Sequence, residues 1–324
     1  MTGDIRLEEI GFYTLSSDRA AHAAVDSQLM RAELLLSSRC NFHCPYCRGV
    51  GGPDIDLDRA LALIGYWSAQ HLYALRLSGG EPLMYRELPT LVRAAKEGGI
   101  EHIAISSNGS FPLRAYLTLL EAGVNDLSIS LDACCAADGE AMAGGVRGAW
   151  ARVVANIRAL SARTYLTVGV VLTDDNAAKI NDIVAFAADL GVADVRIIPA
   201  AQSGNRLSGV VVDPAIVARL PILRYRLANL CAGRPVRGLS ETDANRCGLV
   251  LDDMAVCGTL HYPCIIYLRE GGAPIGEVGP DMRGARARWA DAHDTYADPI
   301  CARNCLDVCV AYNKAFAVAH RESR

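Results

Sequence analysis

The chain has 324 residues, 51% of them hydrophobic, and a formal net charge of −4. Its length suits one large domain and a smaller one, and its mildly acidic balance excludes the basic footprint of a nucleic-acid binder. Residues 1–33 mix charges without the apolar core of an export signal, and no uncharged apolar run approaches the ~20 residues that span a bilayer. The expectation is a cytoplasmic protein with no membrane and no nucleic-acid partner.

From residue 32, short apolar runs alternate with stretches of helical period. Such runs are the expected form of strands covered on both faces. Residues 32–38 predict a first strand and 56–70 a helix behind it; 74–78 predict a second strand and 85–97 a helix closed by Gly98 and Gly99. Residues 102–106 and 111–122 make a third pair, 126–131 and 146–162 a fourth, 165–172 and 177–190 a fifth, and 195–199 the sixth strand. Six strands with helices between them predict a parallel, right-handed array, too short for a closed eight-stranded barrel. The fold class is α/β, a partial (β/α)6 barrel. After Pro199 the pattern stops. A polar linker over 202–208 leads to a helix over 214–228. From about Ser240 the chain is cysteine-rich and strand-like, with a hairpin turning at Asp252 and Asp253, a turn at Gly271 and Gly272, and a last helix over 307–320. The expected division is an N-terminal extension (1–30), the partial barrel (31–205), a linker and helix (206–240) and a small C-terminal cysteine-rich α+β domain (241–324).

Twelve cysteines fall into three groups: Cys40, Cys44 and Cys47; Cys134 and Cys135; and seven from Cys231 to Cys309. A long chain without an export signal argues against disulfides, while thiolates suit iron–sulfur clusters and zinc. Clustering at both ends predicts two metal sites. The first is the run RCNFHCPYCR over 39–48, directly after the first strand. Loops at the carboxyl ends of parallel strands build active sites. A cubane cluster has four irons, so three cysteines leave one of them open, as a catalytic zinc site keeps an open position. Zinc, completed by His43 or a distant residue, is the competing reading.

The Cys40-x3-Cys44-x2-Cys47 spacing, with Tyr46 before the last cysteine, resembles the signature of the radical S-adenosylmethionine (SAM) superfamily. Further landmarks over 32–200 resemble that family in order. Gly79, Gly80, Glu81 and Pro82 end the second strand like its GGEP element, which by resemblance meets the SAM amino group. Ser107 and Asn108 end the third, near the ribose and methionine carboxylate. Ser130 ends the fourth and approaches SAM, Val170 lies on the fifth, and Ile198 and Pro199 end the sixth, where the family contacts adenine. The resemblance implies a [4Fe–4S] cluster on Cys40, Cys44 and Cys47, SAM on its open iron, and hydrogen-atom abstraction by a 5′-deoxyadenosyl radical.

The C-terminal cysteines resemble the twitch domain, the shortened relative of the SPASM domain, which holds one auxiliary [4Fe–4S] cluster. The resemblance implies Cys247, Cys264, Cys301 and Cys305 as its ligands, with Cys309 the substitute. Two auxiliary clusters, drawing in Cys231 and Cys257, or a structural zinc are the alternatives. Cys134 and Cys135 read as a substrate-facing thiol pair or as packing at a helix start, and Arg48 and Arg196 as holders of a substrate anion or as ion-pair partners.

For the reaction, the expectation is a small polar substrate of sugar, aminocyclitol or nucleoside type, oxidised or converted by a redox-neutral decarboxylation or rearrangement, and the resemblance to the twitch domain favours oxidation. The alternative is radical modification of a peptide or protein side chain, for which the 39 residues before Cys40 leave little room for a leader-recognition module. The low potential of such a cluster implies a flavodoxin or ferredoxin type electron donor.

Overall fold

A computed structural model describes residues 6–49, 51–202 and 210–321. In chain order, α1 (Ser17–His22) precedes β1 (Arg31–Leu35); α2 (Leu57–Ala69), β2 (Ala74–Ser78), α3 (Leu88–Glu97), β3 (His102–Ser107), α4 (Leu113–Ala122) and β4 (Asp126–Ser130) follow. Two helices, α5 (Ala136–Met142) and α6 (Ala149–Ser161), lead to β5 (Tyr165–Leu172), then α7 (Ile180–Asp189) to β6 (Asp194–Pro199). The six strands lie in the order β6-β5-β4-β3-β2-β1, all parallel. This is the open partial barrel that the alternation predicts.

Period-two alternation gives each strand two faces. Leu34, Leu77, Ile105, Ile129, Val168 and Ile197 are fully buried in the core shared with the helices. Most of the residues between them are polar. Arg31 pairs with Asp253 at 2.6 Å and also with Glu33; Arg76 pairs with Asp126 at 3.1 Å, which also accepts from Tyr13 Oη at 2.8 Å. Arg31, Glu33, Arg76, Asp126 and Asp253 thus carry paired charges on the inner wall of the barrel.

Past β6 come α8 (Pro214–Arg219) and α9 (Pro221–Cys231), then β7 (Asp253–Cys257), β8 (Leu260–Tyr262), α10 (Ile265–Arg269), β9 (Gly276–Glu277), α11 (Met282–Ala292), α12 (Pro299–Asn304) and α13 (Asp307–Arg321). Four expectations need correction here. The single helix over 214–228 is two, because Pro221 drives Leu220 out of helical geometry (φ −116°, ψ 89°). The hairpin turns at Gly258 and Thr259, where Gly258 takes φ +61°, and not at Asp252 and Asp253. Asp252 is instead buried, bound to Arg19 and to Tyr312 Oη. The hairpin also joins the barrel sheet: β7 lies parallel beside β1, and β8 and β9 continue antiparallel. The strand-like stretch after Ser240 carries α10, α11 and α12 as well, because its helices are too short and too interrupted to show a period. The linker over 202–208 lies, past Gln202, outside the described residues. Leu7, Ile10 and Leu15 from the N-terminal segment form a small core with Val308 and Tyr312 of α13. Among the described residues no helix is long and apolar enough to cross a membrane.

Candidate active site

The cysteine loop leaves the carboxyl end of β1 and is tied down by the ends of its neighbours. Gly80 N donates to Ser37 O at 2.7 Å and Glu81 N to Arg39 O at 2.8 Å. The two glycines make that crossing possible. A Cβ on Gly80 would stand 2.2 Å from Arg39 O, and one on Gly79, at φ +149°, 2.4 Å from Ser37 O. From β3, Asn108 Nδ2 donates to Asn41 Oδ1 at 2.8 Å and lies 3.7 Å from Cys40 Sγ. From β4, Asp132 accepts from Tyr46 Oη and, at 2.6 Å, from Val171 N. His43 N reaches Ala143 O at 3.1 Å, just after α5.

The loop faces a cavity of about 400 Å³ at the carboxyl ends of the strands. Cys40, Cys44, Cys47 and Tyr46 line it, with Gly79, Gly80, Ser107, Asn108, Ser130, Val170, Ile198 and Pro199 around them. The side chain of Val170 belongs to the core cluster, so Gly169 and Val171 present the open face of β5. Two of the expected cofactor residues do not reach the cavity. Pro82 is buried at the start of a short turn, Pro82–Met84. Glu81 is fully buried, and its carboxylate accepts from Leu83 N at 3.1 Å, Ser107 Oγ at 2.9 Å and Asn108 N at 2.7 Å. It braces the ends of β2 and β3 to each other. Cys134 packs against the core and Cys135 caps α5; neither lines the cavity.

The electrostatics are those of buried groups. Burial pushes the Cys44 thiol up to about 12, helped by Asp132, and also raises Cys40. It raises Asp132 to about 6 and Glu81 to about 7, in both cases against opposing hydrogen bonds. Thiols held this high lose their protons to a metal rather than to water. Tetrahedral zinc, at about 2.3 Å per thiolate, needs sulfurs about 3.8 Å apart. Among the described residues, only His293, Asp298 and Cys301 bring three ligand atoms within 4.8 Å of one another. As placed here, the three loop thiols form no such group, with or without His43. A four-iron cubane has the larger span.

A second thiol group lies beside β7. Cys247 precedes a short turn, Cys264 is the N-cap of α10, Cys301 lies on α12, Cys305 ends it and Cys309 lies on α13. Cys309 acts electrostatically on each of the other four; burial pushes Cys247 up to about 11 and raises Cys264 and Cys301 further, while Cys305 is raised first by its hydrogen bond with Cys309 and then by burial. Five cysteines thus meet in one place. Cys257 is raised by burial alone and packs at the end of β7; Cys231 is exposed at the end of α9. His293, which the spacing gave no reason to single out, stacks on Trp289 at 3.9 Å and has Nε2 3.8 Å from Cys301 Sγ. Its only mark in the sequence is a place eight residues before that cysteine.

Arginines from both halves line the cavity: Arg48, Arg196, Arg237 and Arg269. Arg269 donates to Arg48 O at 3.2 Å and Gly79 O at 3.1 Å. Arg237 donates to Pro199 O at 3.1 Å, and Arg48 pairs with Glu270. Arg237, Arg269 and Glu270 escaped sequence reasoning because nothing local ties them to the cysteine loop.

Solved structures of low identity share this fold. Streptococcus suis SuiB bound to S-adenosylmethionine gives a TM-score of 0.58 at 15% identity, over 82% of this chain and 66% of that one. Native anSMEcpe with bound AdoMet gives 0.58 at 12%, over 90% and 97%. Curated relatives include the GTP 3′,8-cyclases of Xanthomonas campestris pv. campestris (37% identical over 131 residues, 37% of this chain and 38% of the relative) and of Limosilactobacillus fermentum (37% over 105 residues, 30% and 32%). The chain thus spans under two fifths of the length of these relatives. The model of the radical SAM superfamily matches residues 34–187. That match begins inside β1 and ends in α7, so it holds the whole cysteine loop and the strands that carry it, and this part of the chain belongs to the radical SAM superfamily of enzymes.

Proposed function

We propose that Cys40, Cys44 and Cys47 hold a [4Fe–4S] cluster whose fourth iron is left to SAM, and that the enzyme takes a hydrogen atom from a small polar substrate of sugar, aminocyclitol or nucleoside type. One observation carries this reading: three thiols of one loop open onto a cavity at the mouth of the strands, and among the described residues they belong to no group of metal-binding side chains drawn close enough for a mononuclear site. Bound SAM and cluster supply a 5′-deoxyadenosyl radical by reductive cleavage of the sulfonium; the protein supplies position and a shielded volume. Tyr46 and Asp132 fix the last turn of the cysteine loop, and Asn108 places a donor against Cys40. Ser130, Ile198 and Pro199 line the wall on which the nucleoside part of SAM is read to lie.

Four of the five grouped cysteines, with Cys247 and Cys264 among them, are proposed to hold an auxiliary [4Fe–4S] cluster. An acceptor of that kind beside the cavity favours oxidation of the substrate over a redox-neutral outcome. A flavodoxin or ferredoxin type protein is the proposed reductant. GTP 3′,8-cyclase acts, by its name, on a nucleotide, which supports the nucleoside type. A peptide or protein substrate is the second reading, supported by the fold neighbours SuiB and anSMEcpe, which were solved with peptides bound.

The test is anaerobic reconstitution with iron and sulfide, then dithionite and SAM. The expected result is 5′-deoxyadenosine from the parent and none from Cys40→Ala; equal amounts from both exclude the reading. One 5′-deoxyadenosine per oxidised product supports dehydrogenation, and a product of unchanged oxidation state rules it out.

A further inference from the structure

Among the described residues, Arg196 on the inner wall of the barrel has no counter-ion. Register sets Ser130, Gly169 and Arg196 side by side across β4, β5 and β6, and all three line the cavity. Gly169 leaves a gap in that row, since a Cβ placed on it meets nothing within 4 Å. Arg196 therefore faces open space.

Every anion that faces Arg196 is engaged elsewhere. Asp126 acts on it through space but pairs with Arg76 and accepts from Tyr13. Asp194 accepts from the backbone of Val195, Ile222 and Leu223. The other groups around it are Arg76, Arg226 and Tyr165, and Arg226 has its own partner in Asp307. Among the described residues Arg196 makes no ion pair, and its buried Nε has no hydrogen-bond partner. The other cavity arginines differ, because their donors go to protein acceptors. Burial lowers the Arg196 guanidinium to about 10, so it is still charged at neutral pH. An unpaired buried charge is costly and is retained where something else neutralises it.

We infer that Arg196 is an anion subsite of the cavity and takes a carboxylate or phosphate group of the substrate. The substrate is then an acid or a phosphorylated molecule rather than a neutral sugar or aminocyclitol. This rests on the reading of the cavity as the SAM site only in assigning the anion to the substrate. By that reading the cofactor carboxylate lies over Ser107 and Asn108 on β3, three strands from β6, or about 14 Å at 4.8 Å per strand.

The experiment is equilibrium titration of the reconstituted protein with inorganic phosphate and, separately, with SAM. We expect saturable phosphate binding, weakened at least tenfold in Arg196→Gln and Arg196→Met and less than threefold in Arg196→Lys, while SAM affinity moves less than threefold. Phosphate should raise the thermal midpoint of the parent and not that of Arg196→Met. Without phosphate, Arg196→Met should melt no lower than the parent, because it removes an unpaired buried charge. Phosphate binding that ignores residue 196, a lower midpoint for Arg196→Met without phosphate, or SAM affinity that falls in step with phosphate overturns the inference; in the last case the guanidinium serves the cofactor carboxylate. Loss of SAM binding in every variant with phosphate binding intact would sink the cofactor reading and leave the anion subsite standing.

Discussion

Arg48, one residue after the last loop cysteine, forms an ion pair with Glu270, one residue after α10. The helix between is short: Cys264 caps its start, and Arg269 at its end bonds to Arg48 O and Gly79 O. A five-residue helix spans only about 7.5 Å. The two thiol groups are therefore linked through one short element.

That pair is partly open to solvent, with 36% of the Arg48 and 11% of the Glu270 side chain exposed, so its worth to stability is small. A double-mutant cycle with Arg48→Met and Glu270→Gln, read by denaturant unfolding, should give a coupling of about 0.5–1 kcal/mol. A coupling near zero would mean that the pair only decorates the surface of the cavity.

The glycines at the end of β2 give a sharper test. A methyl group on Gly80 would sit 2.2 Å from Arg39 O and 2.6 Å from its carbonyl carbon. Both are backbone atoms of the chain entering the cysteine loop, so no side-chain rotation relieves the contact. Gly80→Ala should cost about 1–3 kcal/mol of stability and lower the iron bound at Cys40, Cys44 and Cys47, measured as iron per chain after reconstitution. Unchanged iron and an unchanged unfolding midpoint would show that the loop has slack.

The sequence made the barrel legible because each unit repeats one pattern, an apolar run followed by a period of 3.6. Strands β2 and β5 have the bounds that pattern predicts. The cysteine loop was legible because its chemistry is contiguous. What stayed hidden depended on contacts between distant segments. Glu81 reads as a ligand-facing carboxylate, yet it is buried by Ser107 and Asn108, 26 and 27 residues further on. The pairing of β7 with β1 spans 222 residues from Arg31 to Asp253. No local period encodes that, so the hairpin looked like part of a separate unit.

Five grouped cysteines for the four corners of one cluster make a second prediction about metal. Cys247 and Cys264 come from the turn and the cap beside β7. Cys301, Cys305 and Cys309 follow one another at successive turns of α12 and α13 and offer three thiols for two places. Cys247→Ala or Cys264→Ala should remove about four irons per chain, while single replacements at 301, 305 or 309 should remove fewer. Cys231→Ala and Cys257→Ala should leave iron content unchanged. Iron lost from Cys257→Ala would revive a second auxiliary cluster.

Glu81 sets a pH dependence whose sign follows from its burial. Its carboxyl is raised from 4.5 to about 7 by desolvation, while the donors from Asn108, Leu83 and Ser107 pull the other way. Between those two values the folded chain holds a proton that the unfolded chain has released. The stabilising contribution of this group is therefore complete at low pH and is lost as pH rises from about 4.5 through about 7, with a slope of at most ~1.4 kcal/mol per pH unit. Glu81→Gln cannot titrate, although its amide nitrogen would face a backbone donor and cost a further 1–3 kcal/mol or so at every pH. Denaturant unfolding of the two proteins between pH 5 and 8 should show the parent losing ground to the variant up to about pH 7 and running parallel above it. Curves parallel throughout would mean that the three donors keep Glu81 ionised in the fold, and that the brace between β2 and β3 is a carboxylate rather than a carboxylic acid.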